Sequence, residues 1–401
     1  MRKLKKISEF MFFAIVSAII AFSITIWQTL LPLYLDKKGF EAWEIGLSVS
    51  LIMNLSYFLS FIAGYIVDII DWKRSLLIAL ILLIFGTFYL IVINDLWEYI
   101  SFAIVIGIVN ALVTQSSVKV LVRSQSKGRG LMYSSYMFLS NLSRILASYA
   151  SGFIASLTGY LTLFTISAIS LFPAVGIVST YKGKSFNSSK NEDLKLKNVL
   201  NLYRRDRRLQ ILVATLFLHD LSIFIAVPYL ALYAKYIIGT DEVGVGILFG
   251  TSNTTQLIFQ LGAGWLADKI GGSLTLALHF ISVSLSYIVY SNIKGFIEAL
   301  AIYAFMGLAI ALDLPARRLL ITKYAPEEYV SAINGLADTI VGIGTIIASL
   351  IGGYLWNISP HLPILFGGIA NLSTLPLIFY LKYRKTRHKN PQKIYMINAK
   401  G

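Results

Sequence analysis

Long apolar runs separated by short polar turns cover most of the 401-residue chain. Most runs are around 20 residues or longer, which at about 1.5 Å of rise per residue is enough to cross the roughly 30 Å hydrocarbon core of a bilayer. They lack the alternation of a barrel strand, and backbone groups in lipid must be satisfied within their own segment, so each run is predicted to be a helix. The twelve predicted spans are 10–35, 44–67, 75–94, 98–122, 131–156, 160–181, 209–235, 243–267, 273–292, 296–322, 330–356 and 361–381.

The longest polar insertion, 182–208, lies between the sixth and seventh predicted spans and divides the chain six to six. Its second half, Leu-Lys-Leu-Lys-Asn-Val-Leu-Asn-Leu-Tyr-Arg-Arg, has the spacing of a short amphipathic helix that lies on the membrane surface. The pattern predicts an N-terminal six-helix bundle over 1–181, this linker, a C-terminal six-helix bundle over 209–381 and a basic tail over 382–401.

The two halves of the chain repeat one another. The turn at 262–273, Gly-Ala-Gly-Trp-Leu-Ala-Asp-Lys-Ile-Gly-Gly-Ser, has a degraded copy at 64–74 that reads Gly-Tyr-Ile-Val-Asp-Ile-Ile-Asp-Trp-Lys-Arg. Glycine pairs near the same offset are Gly46 with Gly246, Gly107 with Gly307, and Gly152 with Gly352. These matches predict an all-α integral membrane protein whose twelve transmembrane helices form two six-helix bundles related by a pseudo-twofold axis.

The positive charge follows the membrane topology. Of the 35 lysines and arginines, 30 fall in the tails and in the turns on the side of the N-terminus. This bias predicts a multi-pass protein of the cell membrane with both termini in the cytoplasm, and it explains the net charge of +15 without nucleic acid. The first apolar run is too long for a signal peptide, so an uncleaved first span is expected.

Composition argues against enzyme chemistry. A chain that is 56% hydrophobic and 14% charged suits a bilayer, and the absence of cysteine excludes disulfides and thiolate sites. The four histidines are scattered without metal-ligand spacing, and no phosphate-binding loop, Gly-x-Ser-x-Gly elbow or His-Glu-x-x-His motif occurs. We therefore predict no enzymatic activity, no metal and no cofactor.

The turn at 262–273 and its copy resemble the loop pattern of the major facilitator superfamily, and the resemblance extends over nearly the whole chain. It implies secondary transport by alternating access, with these loops latching one state of the transporter. The residues that match the loop pattern are Gly264, Asp268, Lys269 and Gly271 in the second half and Gly64, Asp68 and Lys73 in the first. The first copy has Ile69 and Asp71 at the positions of the first basic residue and the second glycine.

Ionisable residues within the predicted spans mark the candidate transport path, because a lone charge in mid-bilayer is costly. Arg144, Asp220 and Asp338 are predicted to share the midplane. Asp220 is the candidate proton site, and Asp338 is either a proton or substrate site or a structural partner. Arg144 either holds an anionic substrate or neutralises Asp220 or Asp338. His219 either joins the proton path or lies on the opposite helix face, bonded to a backbone carbonyl.

Two further positions complete the candidate site. Asp313 has Arg317 at i+4, the spacing of an intrahelical ion pair, which is expected at an inner gate or a helix end. Asn110 lies in the fourth span, which in the resembled fold lines the central cavity; an interhelical hydrogen bond is the alternative reading.

Together these features predict a secondary transporter that moves a small solute, coupled to protons. Efflux of drug-like compounds and uptake of a sugar or organic acid both remain open. A membrane receptor or sensor on a transporter scaffold is the alternative, although it would require a signalling domain or a long cytoplasmic segment. A monomer is expected, because the fold needs no partner to complete the path.

Overall fold

The computed structural model describes residues 2–123, 129–181, 196–326 and 329–383, and these residues form helices and turns without a strand. The predicted tail from 384 onward and the first part of the linker, 182–195, lie outside the described residues.

The N-terminal half forms six helical spans, as predicted. The first and sixth spans are each broken once, where Pro32 and Pro173 begin a new helix, because a proline removes a backbone donor and clashes with the preceding turn. The helices are α1 (Arg2–Gln28), α2 (Leu31–Lys37), α3 (Ala42–Ile70), α4 (Trp72–Val92), α5 (Leu96–Arg123), α6 (Arg129–Thr158), α7 (Tyr160–Ser170) and α8 (Phe172–Thr180).

The C-terminal half adds six more spans and confirms the count of twelve. The seventh, tenth and twelfth spans are composite, and short 3₁₀ and π segments (Val227–Tyr229, Ala234–Ile238 and Leu372–Thr374) join or extend their parts. The helices are α9 (Leu196–Arg205), α10 (Arg207–Ala226), α11 (Leu230–Tyr233), α12 (Glu242–Ile270), α13 (Gly272–Tyr290), α14 (Phe296–Ala311), α15 (Asp313–Tyr324), α16 (Val330–Ile358), α17 (His361–Asn371) and α18 (Leu375–Tyr383).

The linker helix α9 confirms the predicted amphipathic segment. Its Val199 and Leu202 are buried and pack against Leu209 and Leu212 at the start of α10. The helix therefore rests on the C-terminal bundle through its apolar face, and its described basic residues Arg204 and Arg205 lie at its end.

The pattern of helix neighbours is the same in both halves. In the first half α3 packs on α5, α1 on α6 and α7, and α4 on α7; in the second α12 packs on α14, α10 on α16 and α17, and α13 on α17. The halves meet in two equivalent interfaces, α6 with α12 and α16 with α3. This repetition agrees with the predicted pseudo-twofold relation between two bundles.

Ten of the spans are long and apolar enough to cross a membrane by composition alone. The two that are more polar, α6 and α12, are equivalent in the repeat and pack against each other between the bundles. Their polar side chains therefore serve the interface and the space beside it.

The turns between the spans define two membrane faces. The tail face carries α9 and the turns at Asp71 and Gly271, and the hairpin face carries the turns at Gly39, Gly159 and Gly239. Asp71 and Gly271 occupy equivalent turns and share one backbone conformation, with φ and ψ of 76° and 149° for Asp71 and of 86° and 151° for Gly271. The aspartate thus adopts a conformation that normally requires glycine.

Candidate functional site

The bundles are in close contact on the half of the protein near the hairpin face. Small residues allow this approach: a Cβ atom at Gly246 would lie 2.8 Å from the carbonyl oxygen of Ser148, and one at Gly152 would collide with the backbone of Glu242. In the second interface Gly353 of α16 lies against the backbone of Trp43 in the same way. The glycines at these positions permit backbone-to-backbone packing of the kind found between membrane helices.

Polar contacts tie the bundles together at the hairpin face. Asp36 accepts a hydrogen bond from Lys235 Nζ at 2.7 Å and others from Tyr236 Oη at 2.8 and 2.9 Å. Tyr160 Oη donates to Glu242 Oε1 at 3.3 Å. These contacts are partly exposed, so each is expected to be weak by itself.

The helix faces that pack between the bundles near the hairpin face separate toward the tail face. On α3, Gly46, Ser50 and Asn54 lie on the stripe that faces α16, and Ser50 donates a hydrogen bond to the carbonyl of Thr345 at 3.4 Å. Tyr65 continues this stripe at helical spacing, yet its side chain is 66% exposed. The packed stripe therefore loses its contact with the other bundle toward the tail face.

α12 opens in the same way as α3. Gly246 and Gly250 are buried against α6, whereas Leu261, on the same stripe nearer the tail face, is 83% exposed. The bundles are thus closed at the hairpin face and open at the tail face.

Arg144 lies in the opening. It belongs to the face of α6 that also carries the buried Ser148 and Ser151, opposite the exposed Leu142 and Leu146. Its side chain is exposed, and because it lies on the face of α6 opposite Leu142 and Leu146, it projects toward the space between the bundles rather than toward lipid.

The surroundings of Arg144 are aromatic. Tyr57 of α3 and Tyr136 of α6 lie within its electrostatic range, and it forms no hydrogen bond or ion pair with the described residues. The idea that Arg144 neutralises Asp220 is wrong, because another arginine does so.

Arg317 binds two carboxylates at once. Its terminal nitrogens donate to the two oxygens of Asp220 at 2.6 and 2.8 Å, and its Nε donates to Asp313 Oδ1 at 2.5 Å. The second contact confirms the predicted i+4 pair within α15. The contact with Asp220 joins α15 to α10 through two parallel hydrogen bonds in one plane, which a lysine cannot form. Sequence reasoning missed it.

A buried histidine pair lies beside this ion cluster. His219 Nε2 and His279 Nε2 are 3.0 Å apart, and both side chains are almost fully buried. His219 Nδ1 lies 2.7 Å from Asn371 Oδ1, and His279 Nδ1 lies 2.7 Å from the carbonyl oxygen of Ala309. The expectation that His219 bonds to a backbone carbonyl is wrong, since its partners are two side chains.

The histidine pair and Asp313 together could be considered for a metal ion. Their three potential ligand atoms lie within 4.8 Å of one another. However, Asp313 Oδ1 is already bound to Arg317 Nε. In addition, the two Nε2 atoms at 3.0 Å are closer than the about 3.3 Å expected for two nitrogens on a tetrahedral zinc ion. We therefore assign no metal to the cluster.

Asp338 and Asn110 stand apart from the cluster. Asp338 of α16 is half-buried and accepts a hydrogen bond from Asn334 Nδ2 at 2.8 Å. It lies within electrostatic range of Arg317, Asp220 and Tyr57, without a direct ion pair among the described residues. Asn110 is half-buried on α5 and forms no hydrogen bond with the described residues.

The first loop of the pair contacts its own bundle. Lys73 Nζ donates to the carbonyl oxygens of Ser179 and Tyr181, at 3.0 and 2.6 Å, where α8 ends. This places a cation at a helix C-terminus, where the helix dipole favours it. A Cβ at Gly64 would meet only Gln115, at 3.7 Å, and the side chain of Asp68 lies outside the described residues.

The second loop is exposed. Lys269 Nζ lies 4.7 Å from the ring centroid of Trp265, and Asp268 forms no hydrogen bond or ion pair with the described residues. A Cβ at Gly264 or at Gly271 would meet no atom within 4 Å. The described side chains of this second loop are therefore not engaged across the open tail face.

Comparison with known proteins agrees with this architecture. The family model for the Major Facilitator Superfamily matches residues 11–235 and 212–395. The MFS-type transporter MJ1317 of Methanocaldococcus jannaschii is 26% identical over 87% of this chain and 89% of its own length. The quinolone resistance protein NorA of Staphylococcus aureus is 25% identical over 49% of this chain, and the match spans about half of NorA (52%).

Solved structures share the fold at low identity. A POT family transporter in complex with 5-aminolevulinic acid superposes with a TM-score of 0.78 at 13% identity, covering 93% of this chain and 96% of its own. The nucleoside transporter NupG superposes with a TM-score of 0.76 at 14% identity, covering 94% and 99%.

Proposed function

Because the chain belongs to the major facilitator superfamily, we propose that it is a secondary active transporter that moves a small solute by alternating access and is coupled to protons. The observation that carries the proposal is the cavity between the bundles, closed at the hairpin face, open at the tail face and bordered by Arg144. An inter-bundle cavity near the membrane midplane is where such transporters hold their cargo.

The alternating step follows from the two ends of the interface. Closing the tail face requires the bundles to rock so that Tyr65 and Leu261 become covered, which in turn breaks the contacts of Asp36 with Lys235 and Tyr236. Those contacts are few and partly exposed, so breaking them costs little free energy. The binding of a solute can therefore favour the state in which the tail face is closed.

We propose that the tail face is the cytoplasmic face. Of the 35 lysines and arginines, 30 fall on this side, and the excess of basic residues in short loops and tails marks the cytoplasmic side of a membrane protein. The transporter then has both termini in the cytoplasm of a cell membrane, and its cavity opens inward.

The substrate we propose is a small amphipathic compound that carries an anionic group. Arg144 offers an uncompensated cation in the cavity, Tyr57 and Tyr136 offer aromatic surface, and Asp338 offers an acceptor for a cationic or hydroxyl group. The guanidinium group of an arginine binds a carboxylate through two parallel hydrogen bonds. The names of two similar proteins, a quinolone resistance protein and a POT family transporter in complex with 5-aminolevulinic acid, agree with such a class of compound.

Proton coupling is proposed to act through the ion cluster. Protonation of Asp220 would weaken both hydrogen bonds from Arg317 and so loosen α10 from α15, on which the cavity wall depends. A proton that changes the relative energy of two conformations shifts their populations. Asp338 faces the cavity and is the second carboxylate of the proposed path.

The experiment is solute flux into proteoliposomes under an imposed pH gradient. A quinolone carboxylic acid and its methyl ester, which lacks the anionic charge, form a matched pair of compounds. We expect the acid to accumulate, the ester to accumulate at least about tenfold less, and Arg144→Gln to remove the difference, since a charged hydrogen bond of about 1.4 kcal/mol or more corresponds to that ratio.

The control for the proton arm is a carboxylate outside the cavity. Asp220→Asn should abolish accumulation against a gradient and spare downhill exchange, whereas Asp241→Asn, at the N-terminal cap of α12, should change neither because asparagine caps equally well. Gradient-driven accumulation that persists unchanged in Asp220→Asn would contradict the coupling. An absence of flux for every compound tested would contradict transport itself.

A further inference from the structure

The neighbours of the histidine pair between α10 and α13 determine which ring nitrogens carry a hydrogen. His279 Nδ1 lies 2.7 Å from the carbonyl oxygen of Ala309. A carbonyl oxygen only accepts hydrogen bonds, so this ring nitrogen must carry a hydrogen.

The hydrogen on His219 is fixed by Asn371. The Asn371 amide nitrogen lies 3.0 Å from both the carbonyl oxygen of Phe280 and Ser284 Oγ. Because the Phe280 carbonyl oxygen only accepts hydrogen bonds, the Asn371 group that faces it at 3.0 Å must be the amide nitrogen, and the amide oxygen must then face His219 Nδ1, at 2.7 Å. This ring nitrogen must therefore carry a hydrogen as well.

The two remaining nitrogens face each other. If both histidines were neutral, each would have its single hydrogen on Nδ1, and two lone pairs would oppose one another across 3.0 Å. A hydrogen between the two Nε2 atoms converts this repulsion into a hydrogen bond of ordinary length. The pair then holds three hydrogens on four ring nitrogens, which is one more than two neutral rings hold.

We propose that the His219–His279 pair binds one excess proton, shared between the two Nε2 atoms, and that the pair holds the coupling proton of the transporter while Asp220 and Asp313 are ionised. The second half of the statement rests on the proposed function, whereas the first half stands on the hydrogen-bond geometry alone. No other group needs to change its covalent state.

The charges around the pair favour the extra proton. Burial opposes a charged imidazole, so a compensating charge is required. Asp220 and Asp313 together carry two negative charges, and Arg317 supplies one positive charge. A shared proton on the histidines brings this cluster to neutrality, and His279 Nε2 is 3.8 Å from Asp313 Oδ1.

The charged groups that act on the pair are Asp220 on α10 and Asp313 and Arg317 on α15, and its polar partner on α17 is Asn371. Asp338 on α16 acts in turn on Asp220 and Arg317. The elements packed against α10 and α13 also carry the charged residues Arg204, Arg205, Arg207, Arg208, Glu242, Asp268, Lys269, Glu298, Arg318, Lys323 and Lys382. Asp220 and Asp313 favour a cation at the pair, whereas burial and Arg317 oppose it.

The proton has a short exit. It can pass from His279 Nε2 to a carboxylate oxygen of Asp313, whose side chain is 24% exposed, and from there to water in the cavity. The histidine pair is then left with two opposing lone pairs and the cluster with one net negative charge. The opposing lone pairs push α10 away from α13, so loss of the proton is coupled to the position of α10, which packs on α16, a helix of the bundle interface.

The first test counts hydrogens and needs no substrate. In His361→Gln/His388→Gln protein labelled with ¹⁵N-histidine and purified in lipid nanodiscs, only the pair contributes imidazole signals. We expect one unprotonated nitrogen per transporter at pH 7, averaged over two Nε2 atoms, and a second one after deprotonation at higher pH. Two unprotonated nitrogens at every pH would overturn the proposal.

The second test uses transport. His279→Gln should lose pH-driven accumulation at least about tenfold while downhill counterflow stays within about twofold, because only the proton-binding step is removed. His361→Gln is the matched control, since this histidine bonds Ser291 and Tyr233 on the hairpin side and lies outside the cluster. Unchanged accumulation in His279→Gln would overturn the coupling role.

Two outcomes distinguish the shared proton from the proposed transport function and from a bound metal ion. If the unaltered protein moves no solute, the proposed function fails, while the nitrogen count still decides where the proton lies. Stoichiometric zinc in the purified protein, measured by elemental analysis and lost in His279→Gln, would overturn the shared proton in favour of a metal ion.

Discussion

Removal of the Arg317 side-chain charge is expected to destabilise the protein more than removal of any surface arginine. Arg317 donates three hydrogen bonds to two carboxylates whose side chains are 15% and 24% exposed. Breaking a buried ion pair by removing one partner costs about 3–5 kcal/mol. Because both carboxylates keep some contact with the cavity, we expect the lower end, about 3 kcal/mol, for Arg317→Gln, or roughly a hundredfold in the folding equilibrium.

The sign of the pH dependence follows from the charges that remain. Without Arg317, Asp220 and Asp313 repel one another, and the uptake of one proton removes that repulsion. The loss of stability in Arg317→Gln should therefore be largest near pH 8 and smaller near pH 5. Arg317→Lys should fall between the two proteins, because lysine keeps the charge but cannot bind Asp220 through two parallel hydrogen bonds.

The assay is thermal unfolding of the purified protein in detergent, followed by intrinsic tryptophan fluorescence at two pH values. Arg208→Gln is the control: Arg208 pairs with Asp206 at the tail face, at 2.9 Å, where an ion pair contributes about 1 kcal/mol or less. Arg317→Gln/Asp313→Asn should recover much of the loss, because it removes one negative charge along with the positive one. A loss in Arg317→Gln no larger than in Arg208→Gln, or one independent of pH, would refute the reasoning.

Two further predictions concern the backbone and the cavity. Asp71→Gly should raise the melting temperature and Gly271→Asp should lower it, because a non-glycine residue in this backbone conformation costs about 1–3 kcal/mol; a fall in both variants would argue against strain at Asp71. Since the chain has no cysteine, a water-soluble maleimide should label Tyr65→Cys about tenfold faster than Ser50→Cys, in line with their accessibility, and equal rates would contradict the open tail face.

The spans were predictable because each rests on local information. A long apolar run with polar ends determines a membrane helix without reference to its neighbours, and the i+4 spacing of Asp313 and Arg317 places both side chains on one helix face. The linker helix α9 was predictable for the same reason, since its apolar residues recur at helical spacing.

The remainder of the candidate site depends on how helices are rotated against one another. Asp220 and Arg317 are 97 residues apart, and His219 and His279 are 60 apart, so no local pattern joins them. One signal was available: His279 is the single histidine in a ninth span that has no Asp, Glu, Lys or Arg, and such a residue within the membrane requires a partner from another helix. The identity of that partner requires the packing.

The conformation of Asp71 could not be read from residue types. The first loop copy has Asp71 at the position of the second glycine, and the backbone angles of Asp71 match those of Gly271. The tertiary arrangement of α3 and α4 fixes this turn, so the residue adapts to it at an energetic cost.

The repeat allows one helix contact to be compared between the two bundles. Where α1 packs on α7, Ser23 and Ser167 form a buried hydrogen bond at 2.9 Å, and where the equivalent α10 packs on α17, His219 and Asn371 do so at 2.7 Å. Hydroxyl groups cannot change charge at physiological pH, whereas imidazoles can. The C-terminal bundle alone can therefore respond to protons at this contact, while Arg144 belongs to the other bundle. In the proposed transporter, solute and proton then act on opposite walls of one cavity, and each can influence the other only by changing how the two bundles are arranged.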